Sequence, residues 1–248
     1  MSLKNGEDQR PCSQKETKVV VLVGPVGVGK TTIRRCLAFN LKKEGVRVSE
    51  SYIRLNHLFA HLFLSAVTKV LHCKGYEPIS ALGGYNPRIF IRLFPLWKSL
   101  MVFSLVIKYL ARIYFPCKVL KKTTIVEDYL PVTLCDLMWV ARWFSIPLKS
   151  LSKELSILIR LLVKLPMRVV CLEASYENLI KRWLIRGSLE RDKVYINGRF
   201  AYIRFHRMCA ITLLKLINLD NDIIVLNTDN TNINELVKQI LNDLIVGQ

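Results

Sequence analysis

Acidic residues are scarce in this chain of 248: 19 Asp and Glu stand against 37 Lys and Arg, a formal charge of +18. Cysteines are neither paired nor spaced as C-x-x-C; the seven (Cys12, Cys36, Cys73, Cys117, Cys135, Cys171, Cys209) are odd in number and scattered. That pattern offers no structural zinc site and no disulfide framework, and it points to a reduced, cytoplasmic compartment. Residues 1–18 hold no apolar run behind a basic start, so a secretory signal is not expected. Low-complexity linkers and internal repeats are missing too, and with 51% apolar and 23% charged residues the chain is neither disordered nor a coiled coil. One domain over residues 19–248 behind a polar tail, 1–18, fits this length.

The basic excess is not spread evenly. Residues 55–122 hold ten basic side chains and one acidic, residues 168–217 ten and four, and residues 218–248 one and five. Two such blocks attract nucleotides, nucleic acid or anionic lipid alike, so charge alone does not choose among partners.

Five short runs rich in Val and Ile (19–23, 46–51, 123–127, 168–173 and 223–227) read as parallel strands buried on both faces. Helical patterns lie between them, at 31–44, within 55–115, and at 131–144, 175–186, 200–219 and 232–245. The alternation predicts an α/β doubly wound sheet, with a long helical insertion at 55–122 between the second and third strands. That crossover is roughly seventy residues long, where about a dozen is usual. Within it, residues 97–115 approach the length of a membrane span, with Ser104, Lys108 and Arg112 forming a polar stripe at four-residue spacing. Buried cations in a span cost roughly 2.5 to 3.5 kcal/mol each, and Pro95 and Pro116 bound the segment. A core helix is the expectation, with attachment to a membrane surface the alternative.

The first strand runs into Gly24-Pro25-Val26-Gly27-Val28-Gly29-Lys30-Thr31-Thr32, a complete G-x-x-x-x-G-K-[ST] loop that opens a helix. Glycines let the backbone close around a phosphate, and the amides at the helix N-terminus then meet its oxygens. In such a loop Lys30 spans the β and γ phosphates of ATP, and the Thr31 hydroxyl faces Mg²⁺. The third strand ends in Glu127-Asp128-Tyr129, so Glu127 emerges at the ligand-binding edge of the sheet. There it is a candidate to hold water on Mg²⁺ or to take the acceptor's proton. Further on, Arg182 and Arg186 lie four apart on one helix face, where like charges repel by about a few tenths of a kcal/mol unless an anion lies close. With Arg191 they are the candidates to neutralise a transferred phosphoryl group, because the loop itself has no arginine.

These segments together resemble the thymidylate kinase branch of the P-loop nucleoside monophosphate kinases, across residues 19–245. The phosphate loop stands in the right place, and Val126-Glu127-Asp128-Tyr129 looks like that family's Asp-Arg-Tyr motif. Residues 172–192 (LEASYENLIKRWLIRGSLERD) are similar to its strand, arginine helix and lid; Leu226-Asn227-Thr228-Asp229 and the following helix with Val237 and Ile240 look like its last strand and adenine-side loop. The resemblance implies a three-layer P-loop NTPase fold with a five-stranded parallel sheet, a lid near 186–200, ATP and Mg²⁺ as cofactors, and phosphoryl transfer to thymidylate or a related acceptor.

Two positions depart from that pattern. Asp128 stands where the family has the arginine that grips the acceptor phosphate, and Ser51-Tyr52-Ile53-Arg54-Leu55 replaces its Arg-Glu-Pro-Gly-Gly segment. Either Arg54, Arg88, Arg92 or Lys108 holds the acceptor phosphate, with Phe90 and Phe94 as stacking candidates, or the acceptor is not thymidylate. A nucleoside kinase remains open. So does an ATP-binding protein without kinase activity that uses its basic insertion to engage nucleic acid or a membrane surface, and a homodimer is a further open assembly.

Overall fold

The computed structural model describes residues 19–53, 58–75, 77–185, 196–216 and 223–246. The expected tail, Arg54, Arg186, Arg191 and most of the expected lid lie outside the described residues.

Five strands, β1 (Val19–Val23), β2 (Val48–Tyr52), β3 (Thr123–Glu127), β4 (Met167–Glu173) and β5 (Ile223–Asn227), form one parallel sheet in the order β2-β3-β1-β4-β5. All five residues of β1 are buried, as a central strand covered on both sides requires. Alternate side chains enter two cores. Val19, Val21 and Val23 join the helices of the insertion, whereas Val20 and Leu22 pack on α1 (Lys30–Lys43), α8 (Tyr176–Ile185) and α10 (Ile233–Val246). Each fully buried Val or Leu contributes about 1.5 to 3 kcal/mol.

The second strand starts two residues later than the sequence suggests. Gly45, at φ +80°, ends α1 with a double turn: its amide donates to Lys42 and that of Val46 to Leu41. Val46 is therefore used in closing the helix. As an edge strand β2 is also half-exposed, unlike the buried run expected.

The insertion is helical, in α2 (Leu58–Val70), α3 (Pro78–Tyr85) and α4 (Pro87–Tyr109), then a π-turn at Leu110–Tyr114 and α5 (Phe115–Lys118). Neither proline bounds it: Pro95 lies inside α4 and Pro116 falls in the first turn of α5, so helix runs unbroken from Pro87 to Lys118. The π-turn has a structural use. Buried positions recur every four residues at Met101, Leu105, Tyr109, Ile113 and Cys117, which would drift around an ideal α-helix; a wider turn returns them to the core.

After α6 (Leu130–Trp143), a 3₁₀ turn at Leu148–Leu151 leads into α7 (Ser152–Leu162), an element absent from the sequence expectations. It buries Leu151, Leu158 and Leu162 and anchors to α4 through Lys98, which is 3.0 Å from Glu154. The helix α9 (Ile196–Leu216) packs on α6.

Candidate functional site

The strand order places β1 between β3 and β4, so the loop leaving β1 opens at the crevice where an α/β sheet binds ligands. Two glycines there have different reasons. Gly27 has φ +90°, and a Cβ on it would lie 2.7 Å from Nε1 of Trp183, a buried side chain whose ring N–H donates to the Val26 carbonyl at 2.8 Å. Gly29, at φ +105°, caps α1, and a Cβ there would meet nothing within 4 Å. Gly27 is thus fixed by packing and dihedral together, Gly29 by dihedral alone, with open space where an anion can approach.

The polar groups of the loop are closely tied. Lys30 Nζ donates to the carbonyls of Gly24 at 2.6 Å and Pro25 at 3.0 Å, and lies 3.3 Å from Asp128 Oδ1. The Thr31 hydroxyl donates to Glu127 Oε1 at 2.8 Å, and Arg34 reaches Glu127 Oε2 at 3.1 Å and Glu50 at 3.3 Å. Thr31 and Glu127, both candidates from the sequence, therefore meet. Arg34, which holds the other carboxylate oxygen, was missed, although its position one turn beyond Lys30 on α1 was the available signal.

A hydroxyl and a carboxylate are hard oxygen donors, suited to Mg²⁺ that arrives with phosphates and water. Among the described residues no group of three or more His, Cys, Asp or Glu could hold a metal ion. The donor set thus fits a cation carried by a nucleotide, not a cage made of protein ligands alone. Thr32 is exposed beside Thr31 at the start of α1, where the first helical amides have no partner within the helix.

Asp128 does not turn away. It is buried at φ +53°, a conformation that Asp tolerates better than most residues, with its amide donating to Leu22 and its carbonyl accepting from Ile53. Its carboxylate and Lys30 face a cavity of about 350 Å³ whose other walls include Asp136 of α6, Glu173 and the α9 residues Tyr202, His206 and Arg207. The Tyr202 hydroxyl donates to Asp136; burial and then that carboxylate push the phenol up, so it stays protonated. His206 is 8% exposed, and its Nε2 has no hydrogen-bond partner among the described residues. Burial pulls its pKa down to about 4, with Asp128 opposing and Lys30 reinforcing the shift. It is neutral at pH 7. Cys171 lines the same cavity, where burial and Glu173 push its thiol up to about 12 against a smaller opposing effect of Arg207, leaving it a poor nucleophile. Of these wall residues only Lys30 and Asp128 are legible as candidates in the sequence: Cys171 and Glu173 end β4 without a motif, and Asp136, Tyr202, His206 and Arg207 reach the strand ends only through the packing of α6 and α9.

The remaining candidates are placed differently. The Arg182 guanidinium donates to Thr228 Oγ1 at 3.0 Å, to its carbonyl at 2.7 Å and to the Val28 carbonyl at 3.3 Å, joining α8 and the loop after β5 to the phosphate loop. No anion is needed to hold it there. Phe90 and Phe94 are buried against Trp97, and Phe90 also packs on Phe144, so in this conformation they are core residues with no face open to a base, a correction to the stacking role considered for them. Arg88 and Arg92 are exposed on α4, and Lys108 sits 3.9 Å from the centre of the Tyr52 ring. None of the three lines the cavity beside Lys30.

Sheet order, flanking helices and phosphate loop define an α/β P-loop fold. The thymidylate kinase of Candida albicans has a similar fold: it superposes with a TM-score of 0.54 over 93% of this chain and 92% of that one, at 11% sequence identity. No protein-family model and no curated sequence matches the chain.

Proposed function

We propose that the protein transfers the γ-phosphoryl group of Mg·ATP to a nucleoside monophosphate or a closely related acceptor, as a thymidylate-kinase-like nucleotide kinase. The observation that carries this reading is the meeting of Thr31 and Glu127 at 2.8 Å beside Lys30, within a complete phosphate loop. Residues 24–32 bind ATP, and Thr31 with Glu127 faces Mg²⁺. When bound, that ion supplies charge neutralisation across the β and γ phosphates. Lys30 exchanges its loop carbonyls for phosphate oxygens. Arg34 keeps Glu127 aimed. Arg182 is a positioning residue that fixes the loop against the adenine side, and Arg186 and Arg191 are the arginines left to meet transferred charge. The cavity beside Asp128 receives the acceptor.

A second reading, an uncharged nucleoside as acceptor, is favoured by one observation. Asp128, Asp136 and Glu173 line the cavity against only Lys30 and Arg207 as described cations, an arrangement that repels a phosphate dianion. A coupled assay with Mg·ATP and paired acceptors, thymidine with thymidylate and the other nucleosides with their monophosphates, separates the two. Turnover on a monophosphate that Lys30→Ala lowers by about a thousandfold supports the first; turnover confined to nucleosides supports the second. ATP binding without turnover on any acceptor contradicts both.

A further inference from the structure

The helical insertion is apolar on its outside as well as its inside. While α4 buries Phe90, Trp97, Met101 and Leu105, its opposite side presents Leu96, Phe103 and Ile107 at 52, 54 and 36% exposure, and the π-turn that continues it adds Leu110 at 44%. Spacings of seven, four and three residues put these four on one stripe, about 21 Å long at 1.5 Å per residue. The neighbouring helix α2 extends it. Leu58, Phe59 and Leu62 are 48, 46 and 64% exposed; the Phe59 and Phe103 rings lie 5.7 Å apart, and Leu58 and Ile107 share one groove. The apolar window of this long helix has mean hydropathy 1.7, yet only 39% of it is buried. The helix is thus a core helix on one side, as expected, and open to solvent on the other.

Exposed cations stand at both ends of the stripe, Arg88 and Arg92 before it and Arg112 and Lys118 after it. Cations flanking an apolar face is the pattern of a helix lying in the headgroup boundary of a membrane, with long side chains reaching lipid phosphates. Three other occupants fit less well. A two-fold partner copy with α4 antiparallel would set these cationic ends against each other. Nucleic acid would use the charges and leave the apolar stripe in water. A transmembrane passage would pull Phe90, Trp97 and Met101 out of the core they fill.

We propose that the outer face of α2 and α4 seats on an anionic bilayer surface, with Phe59, Leu62, Phe103 and Ile107 in the acyl boundary and Arg112 and Lys118 at lipid phosphates. The attachment is peripheral and does not depend on the kinase reading.

Co-sedimentation of the full-length protein with vesicles of phosphatidylcholine alone, or with added phosphatidylglycerol, tests it. Binding is expected on the anionic vesicles, weakening as salt rises. F103S/I107S should lower it about tenfold or more. Each of Arg112→Gln and Lys118→Gln should lower it about fivefold. Thermal midpoint and Mg·ATP affinity should match the wild type in all these variants; should F103S/I107S lose its fold, the charge variants decide. The proposal is overturned if the wild type ignores anionic vesicles, if it binds neutral ones equally, or if light scattering finds a dimer that F103S/I107S converts to monomer.

Discussion

The phosphate loop and the outer face of the insertion sit on one chain and obey opposite rules. Around the loop nearly every polar group has a named partner inside the protein: Lys30 with two carbonyls and Asp128, Thr31 and Arg34 with Glu127, Arg182 with Thr228, Trp183 with Val26. Even a methyl group at Gly27 has no room. On the outer face of α2 and α4, side chains as large as Phe103 and Leu62 are more than half exposed, and the cations beside them far outnumber acids. The loop is overdetermined by contacts within the chain, whereas the outer face leaves apolar area in water, the kind of surface that marks an interaction site.

The contrast can be broken at several points. Gly27→Ala should have the largest effect on stability, about 4 kcal/mol in urea denaturation, because dihedral strain adds to the collision with Trp183; a value near that of an ordinary surface change would refute the packing account. Acid follows. His206 has a folded pKa of about 4 against an ordinary 6.5, so as pH falls the unfolded chain takes the proton first. Its contribution is complete above pH 6.5 and is lost on the way down to about 4, by about 3 kcal/mol. His206→Phe should flatten the stability profile in that window, and an unchanged profile would remove His206 as its cause. Trp183→Phe, which leaves the Val26 carbonyl without its donor and a gap where the buried indole stood, should cost about 2 kcal/mol; Gly29→Ala should cost only about 1 kcal/mol, since strain acts there without collision. Phe103→Ser should be smallest, within about 1 kcal/mol, because more than half of that side chain is already in solvent and Phe59 is its one ring contact among the described residues. A larger loss would mean that the outer face belongs to the fold.

Sequence made the central part of the molecule legible because its signals there are local. The run of valines at 19–23, the loop from Gly24 to Thr32 and the Glu127 at the end of β3 each carry their meaning within a few residues, and strand-helix alternation was enough to obtain the layers. Where structure depends on what lies across the fold, the signal faded. Pro95 reads as a stop, yet α4 continues through it with its other face held in the core. Val46 reads as strand until its amide is seen closing α1. The leucines of α7 had helical spacing, but without a motif among them the segment passed unnoticed. Trp183, Asp136, Tyr202 and His206 gain their significance from which helix lies over which strand end, and no spacing in the sequence encodes that. Phe90 and Phe94 erred in the other direction: aromatics near an expected acceptor site were given a chemical role when packing explains them.

The most direct test of the central claim is transfer itself: ATP labelled in its γ-phosphate, an acceptor panel, and the wild type beside Lys30→Ala and Glu127→Gln. The account predicts label on an acceptor with the wild type, about a thousandfold less with Lys30→Ala, and about a hundredfold less with Glu127→Gln. Label that stays on ATP with every acceptor, or transfer that survives Lys30→Ala, would contradict it.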